Sequence, residues 1–160
     1  KPVFGVATAN DISQLPPEFL RKGRFDEIFF VDLPTREERK EIFRIHLTKN
    51  NQTGIHDLDR LADESCLFNG AEIEEAVKES MFMAYVDDPI NPVVNVNHLV
   101  DACKKIIPLA KTMSEKIRGL RGWAEQRARH ASRTANQENL PEIQVGIKMT
   151  KREKDEDTFG

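Results

Sequence analysis

Two arginines three residues apart, Arg21 and Arg24, sit either side of Gly23 in the stretch LRKGRFDEIFFVDLP. A guanidinium is always charged, planar and forked, which suits bidentate contact with a phosphoryl group. At the end of a helix, residues three apart present their side chains toward one region. In phosphoryl transfer an arginine supplied by a neighbour accelerates the reaction by ~10³–10⁵. The same pair also suits surface ion pairs with Asp26 or Glu27, worth about 0–1 kcal/mol, and spacing alone leaves both readings open. Asn10 is the second candidate. It follows an apolar run that reads as a parallel strand, and open α/β sheets bind ligands beyond the carboxyl ends of their strands. A carboxamide both donates and accepts without adding charge, so it can orient a water beside a phosphate oxygen. Asn is equally a common turn residue after a strand.

Elements must hold these groups in place. Residues 3–8 form a short, nearly continuous apolar run, as expected of a parallel strand covered on both faces. Pro16 and Pro17 fit the first turn of a short helix, and Gly23 can end it with a positive φ. Residues 28–33 are β-branched and aromatic enough for a second strand. Strand, helix and strand make a crossover unit of an α/β sheet. From Pro34 the periodicity becomes helical. Thr35 with Glu38, and Asn69 with Glu72, have capping-box spacing. They open a helix with Ile42, Phe43 and Ile45 on its apolar side and another with Ile73, Ala76, Val77, Met81 and Ala84 inward. A short helix around Leu58, Leu61 and Ala62 lies between them. A fourth carries Leu99, Ala102, Cys103, Ile106 and Ile107 inward, ending near Pro108. The expected fold is therefore α/β: two parallel strands with a short helix over residues 1–34, then a four-helix unit over 35–110. A basic amphipathic helix follows over 111–133, and 134–160 reads as a polar tail unable to bury enough apolar surface to fold unaided.

The 160 residues are 39% hydrophobic and 32% charged, the balance of a soluble globular chain. No apolar stretch approaches the ~20 residues of a membrane span, and no leader peptide is visible. The net charge of −3 argues against a wholly basic nucleic-acid binder, yet it divides unevenly. Residues 1–110 carry 13 basic and 19 acidic residues, and residues 111–160 carry 11 and 8. Segment 111–133 has seven basic and two acidic residues with Trp123, which suits either a solvated face or nucleic-acid contact. Cys66 and Cys103 lack metal-ligand spacing and read as reduced, buried thiols of a cytosol-like compartment. The chain opens without methionine on a strand with nothing before it to pair with, which suggests a fragment.

Taken together, VATANDISQLPPEFLRKGRFDEIFFVDLP resembles the second region of homology of the AAA ATPases, a P-loop family. Asn10 matches the sensor-1 asparagine, and Arg21 and Arg24 match the pair of arginine fingers. REERKEIFRIHLTKN resembles the first helix of the family's helical lid, with His46 at the position that approaches the adenosine part of the nucleotide. FNGAEIEEAVKES resembles the lid segment in which Gly70 and Ala71 approach the adenine. ATAN in place of AATN, Asp11-Ile12 in place of Arg-Pro and Glu72 in place of Asp depart from the usual pattern. Those variants, with PLAKTMSEKIRGLRGWAEQRAR after the lid, are most similar to AAA ATPases of cyanobacteria and algal plastids.

The resemblance implies ATP and Mg²⁺ as cofactors, a homo-oligomer, a hexameric ring by expectation, and a protein client in the cytoplasm or plastid stroma, without membrane insertion. The chain contains no GxxxxGK[ST] loop and no apolar strand ending in Asp-Glu. Both are expected N-terminal to Lys1, so the chain alone is expected to bind ATP weakly and hydrolyse none. An ATP-gated scaffold with little turnover and a nucleic-acid-binding AAA protein are the competing functions.

Overall fold

A computed structural model describes residues 3–12, 16, 18, 23, 25–55, 57–132 and 140. The helical unit is built as its capping signals dictate. Helix α1 (Arg36–Lys49) opens on Thr35, whose side chain accepts the Glu38 N–H while Glu38 reaches back to the Thr35 N–H. Helix α2 (Leu58–Glu64) is capped by Asp57. Helix α3 (Gly70–Asp87) opens on the reciprocal Asn69–Glu72 box. Helix α4 (Val96–Lys105) has a box that the sequence reading missed, in which His98 takes the part usually played by Glu or Gln.

Helix α3 packs on α4 and α1, and α1 also packs on α2. Phe43, Leu61, Ile73, Ala76, Val77 and Leu99 are fully buried between them, with Phe68 nearly so. Ile45 departs from expectation and is 61% exposed. The inward stripe of α1 runs through Arg39, Phe43 and Leu47 at four-residue spacing, which turns Ile45 outward. Ile107 is also exposed, because α4 stops at Lys105 and the chain turns away. Cys66 lies exposed in the turn after α2 rather than buried as expected, whereas Cys103 is buried. Burial pushes the Cys103 thiol up to about 12.

The sheet differs most from expectation. Residues 3–9 form no strand, and Val3 and Phe4 are more than nine-tenths exposed. An extended segment without a neighbouring ladder leaves its backbone groups to water. The run at 28–33 contributes only β1 (Phe29–Phe30). Its partner is β2 (Arg129–His130), aligned parallel with Phe29 opposite Arg129 and Phe30 opposite His130. The short helix expected after Pro16 falls largely outside the described residues, but Gly23 does adopt a positive φ of 94°.

The single basic helix expected at 111–133 is instead two helices, α5 (Leu109–Thr112) and α6 (Ser114–Arg127), followed by β2. Ala128 is already extended, and the N–H groups of Arg129 and Ala131 donate to the Ile28 and Phe30 carbonyls at 2.9 Å each. Strand pairing has ended the helix. The expected tail at 134–160 lies outside the described residues except for Leu140.

Arg39, 1% exposed, joins three parts of this fold. Its Nε and one terminal nitrogen donate to the Ala62 carbonyl at 3.1 and 2.9 Å, and the other donates to the Pro34 carbonyl at 3.0 Å. On the exposed side Arg36 donates to Asp63 at 2.6 Å and Asp59 at 2.8 Å, and Lys40 reaches Asp59 at 3.1 Å. These cations hold both carboxyls below the usual carboxylate range: Lys40 first and then Arg36 for Asp59, and Arg36 for Asp63.

Arg39→Met is expected to lower stability by about 2–4 kcal/mol in urea unfolding, because two interior carbonyls lose charged donors. Acid should weaken the α1–α2 contact. A carboxyl with a depressed pKa stabilises the fold above its unfolded value, near 4, and that contribution is lost as pH falls through the folded one. Asp59→Asn with Asp63→Asn should therefore lower the thermal midpoint relative to the parent chain at pH 7. The difference should shrink at pH 3.

Candidate functional site

An open groove of about 610 Å³ lies where β1, α1, α3 and α6 meet. Residues 30–34 leaving β1 form one side, and Glu38, Glu41 and Ile42 of α1 contribute a second. Asn69 and Gly70 at the start of α3, with Ile117 and Leu120 of α6, complete it. The walls are mainly apolar. Among the described residues the charged side chains lining the groove are Asp32, Glu38 and Glu41, with no lysine, arginine or histidine. Asp32 and Glu41 are paired with Arg121 and Arg44, so the surface offers an uncharged group a better match than a phosphate.

Each wall has a local cause. Gly70 is the first residue of α3, and a Cβ placed there would meet nothing within 4 Å, so its backbone stands open to the groove. Glu72, 9% exposed, fixes that helix start from behind: one carboxylate oxygen accepts the Asn69 N–H at 2.7 Å and the other the Leu109 N–H at 2.6 Å. Burial pushes the Glu38 carboxyl up, but the Thr35 N–H and the Ser132 and Thr35 hydroxyls together hold it below the usual range. Ile42 lies one turn beyond Glu38 on the same α1 face.

The basic segment forms the remaining wall through ion pairs with the N-terminal residues. Arg121 Nε lies 2.9 Å from Asp32 Oδ2, and the Asp32 side chain is 7% exposed. Lys116 meets Asp11 at 3.7 Å, and Arg129 meets Glu27 at 3.3 Å. The Phe30 and His130 rings stack edge to face with centroids 5.9 Å apart. Three cations that sequence alone left on a free face are thus held by acidic partners within the chain.

The residues expected to do chemistry are distributed unevenly. Gly70 lines the groove, while Ala71 beside it is exposed and is not part of the lining. His46 lies one α1 turn beyond Ile42, and its Nδ1 is buried with no hydrogen-bond partner among the described residues. Its charge environment extends to Glu74, one turn into α3, whose carboxyl is lowered chiefly by Lys78 and to a lesser degree by His46. Asn10 is exposed on the extended N-terminal segment, away from the groove lining. Arg21 and Arg24 lie outside the described residues. Sequence reading missed Ile42 as a groove residue, although its four-residue spacing from His46 was the available signal. It also missed Glu41, Ile117 and Leu120, for which no local signal exists.

No family model matches the chain. It is 48% identical over 139 residues to an uncharacterized AAA domain-containing protein, ycf46, of Pyropia yezoensis, covering 83% of this chain and 27% of that protein. It is 40% identical over 101 residues to a proteasome-activating nucleotidase of Sulfurisphaera tokodaii, covering 63% of this chain and 25% of that one. Among solved structures, the FIGL-1 AAA domain in complex with ADP superposes with a TM-score of 0.54 at 18% identity, over 66% of this chain and 39% of that chain. The chain spans about a quarter of the length of the curated relatives it matches. With these relatives and that shared fold, the chain belongs to the AAA family and carries the C-terminal part of its domain.

Proposed function

We propose that this chain supplies the nucleotide-sensing and trans-acting parts of an ATP-hydrolysing AAA protein. The observation that carries this reading is the convergence of Ile42 and Gly70 on one groove, with the unsatisfied Nδ1 of His46 one helical turn away. In this reading Asn10 senses the γ-phosphate, and His46, Gly70 and Ala71 approach the adenosine part. Arg21 and Arg24 reach the phosphate bound by a neighbouring subunit. That role requires a homo-oligomer, a hexameric ring, in the plastid stroma or cytoplasm, whose lid movement does work on a protein client.

Residues 1–34 then belong to the α/β core and 35–110 to the lid. The phosphates and Mg²⁺ are assigned to a phosphate-binding loop and an Asp-Glu strand end supplied by the longer protein. Among the described residues no cluster of three or more His, Cys, Asp or Glu side chains could hold a metal ion. No helix among them is long and apolar enough to cross a membrane. The nucleic-acid reading is weakened, since Lys116, Arg121 and Arg129 already face carboxylates.

In the full-length protein, Arg24→Ala should leave nucleotide binding within a few-fold and reduce turnover by about 10³-fold or more. Mixing it with a variant lacking the P-loop lysine should restore part of the activity, because each subunit supplies what the other lacks. Unchanged turnover would remove Arg24 from the reaction. Negligible parental turnover with ATP-driven assembly would favour the scaffold instead. His46→Ala should weaken nucleotide affinity about tenfold, the equivalent of one hydrogen bond, as measured by titration. An unaltered dissociation constant would leave His46 a helix residue only.

A further inference from the structure

We infer that α6 forms a wall of the seat for the nucleotide base, with Ile117 and Leu120 as the contacting side chains and Arg121 as the residue that positions them. This rests on the nucleotide reading above and extends it to a segment that lies beyond the four-helix lid. Ile117 and Leu120, three residues apart on one face of α6, line the groove together with Ile42 and Gly70. The next residue, Arg121, lies against the nearly buried Asp32, so the helix is tied to the chain leaving β1 at the point where it borders the groove. Asp32 is itself oriented, since its Oδ1 accepts the Leu33 N–H at 2.8 Å.

The chemistry of the walls selects the part of the nucleotide that enters. The walls are mainly apolar, no lysine, arginine or histidine lies among the described lining residues, and the Asp32 and Glu41 carboxylates are already paired with Arg121 and Arg44, so the groove offers a phosphate no counter-charge. Apolar side chains with an open glycine backbone instead suit a planar, uncharged heterocycle. The base therefore sits between α1 and α6, and the phosphates point out of the groove. Leu120 then limits the size of substituent that the base can carry.

The test uses the full-length protein and two probes, ADP and N6-benzyl-ADP, with dissociation constants measured by calorimetric titration. The parental protein should prefer ADP. Leu120→Ala should shift the affinity ratio toward the bulky analogue by about tenfold or more, the scale on which a pocket discriminates small apolar groups. Ile117→Ala should shift it in the same direction. Both side chains are half-buried, so each truncation is compatible with folding, and a change in ratio is not produced by lost stability. Arg121→Ala should weaken ADP binding, and Arg121→Lys should restore it to within a few-fold of the parent. If the parent binds ADP and neither truncation alters the ratio, α6 is removed from the seat while the nucleotide reading stands. Absence of ADP binding by the parent overturns both.

Discussion

The placement of one guanidinium governs much of this structure. Arg39 is 1% exposed, and its guanidinium donates to the carbonyls of Pro34 and Ala62. A buried cation is tolerated only where such partners are fixed in place. Those two carbonyls belong to the chain leaving β1 and to the second helix, so Arg39 fixes the angle at which α1 departs from the strand. The groove forms in that angle, between Pro34, Glu38 and Ile42.

The uneven charge distribution acquires a structural meaning in the same region. The acidic first part and the basic last part of the chain meet through Asp11 with Lys116, Asp32 with Arg121, and Glu27 with Arg129. The exposed pairs add little individually. Asp32 with Arg121 is different, because the carboxylate is nearly buried and desolvation strengthens the attraction. Together with the β1–β2 ladder, these contacts return the end of the described chain to its beginning.

Local signals in the sequence revealed the helical unit. The Thr35–Glu38 and Asn69–Glu72 boxes mark two helix starts to the residue. The His98 box was missed because histidine is an unusual partner at that position. Nothing local distinguishes Arg129 and His130 from a continuing helix, since their strand conformation comes from a partner about 100 residues away. The same limit applies to the groove. Gly70 was legible from its motif, but Leu120 reaches it through a fold in which the neighbouring Arg121 pairs with Asp32, 89 residues away. Periodicity reports which face of a helix is apolar. It does not report what that face will meet.

The carboxylate of Glu72 has a mechanical consequence. It grips the N–H that precedes Gly70 with one oxygen and the N–H of Leu109, the first residue after Pro108, with the other. One side chain thus ties the start of α3 to the start of α5, so the glycine that lines the groove and the segment leading to Ile117 and Leu120 are anchored to the same carboxylate.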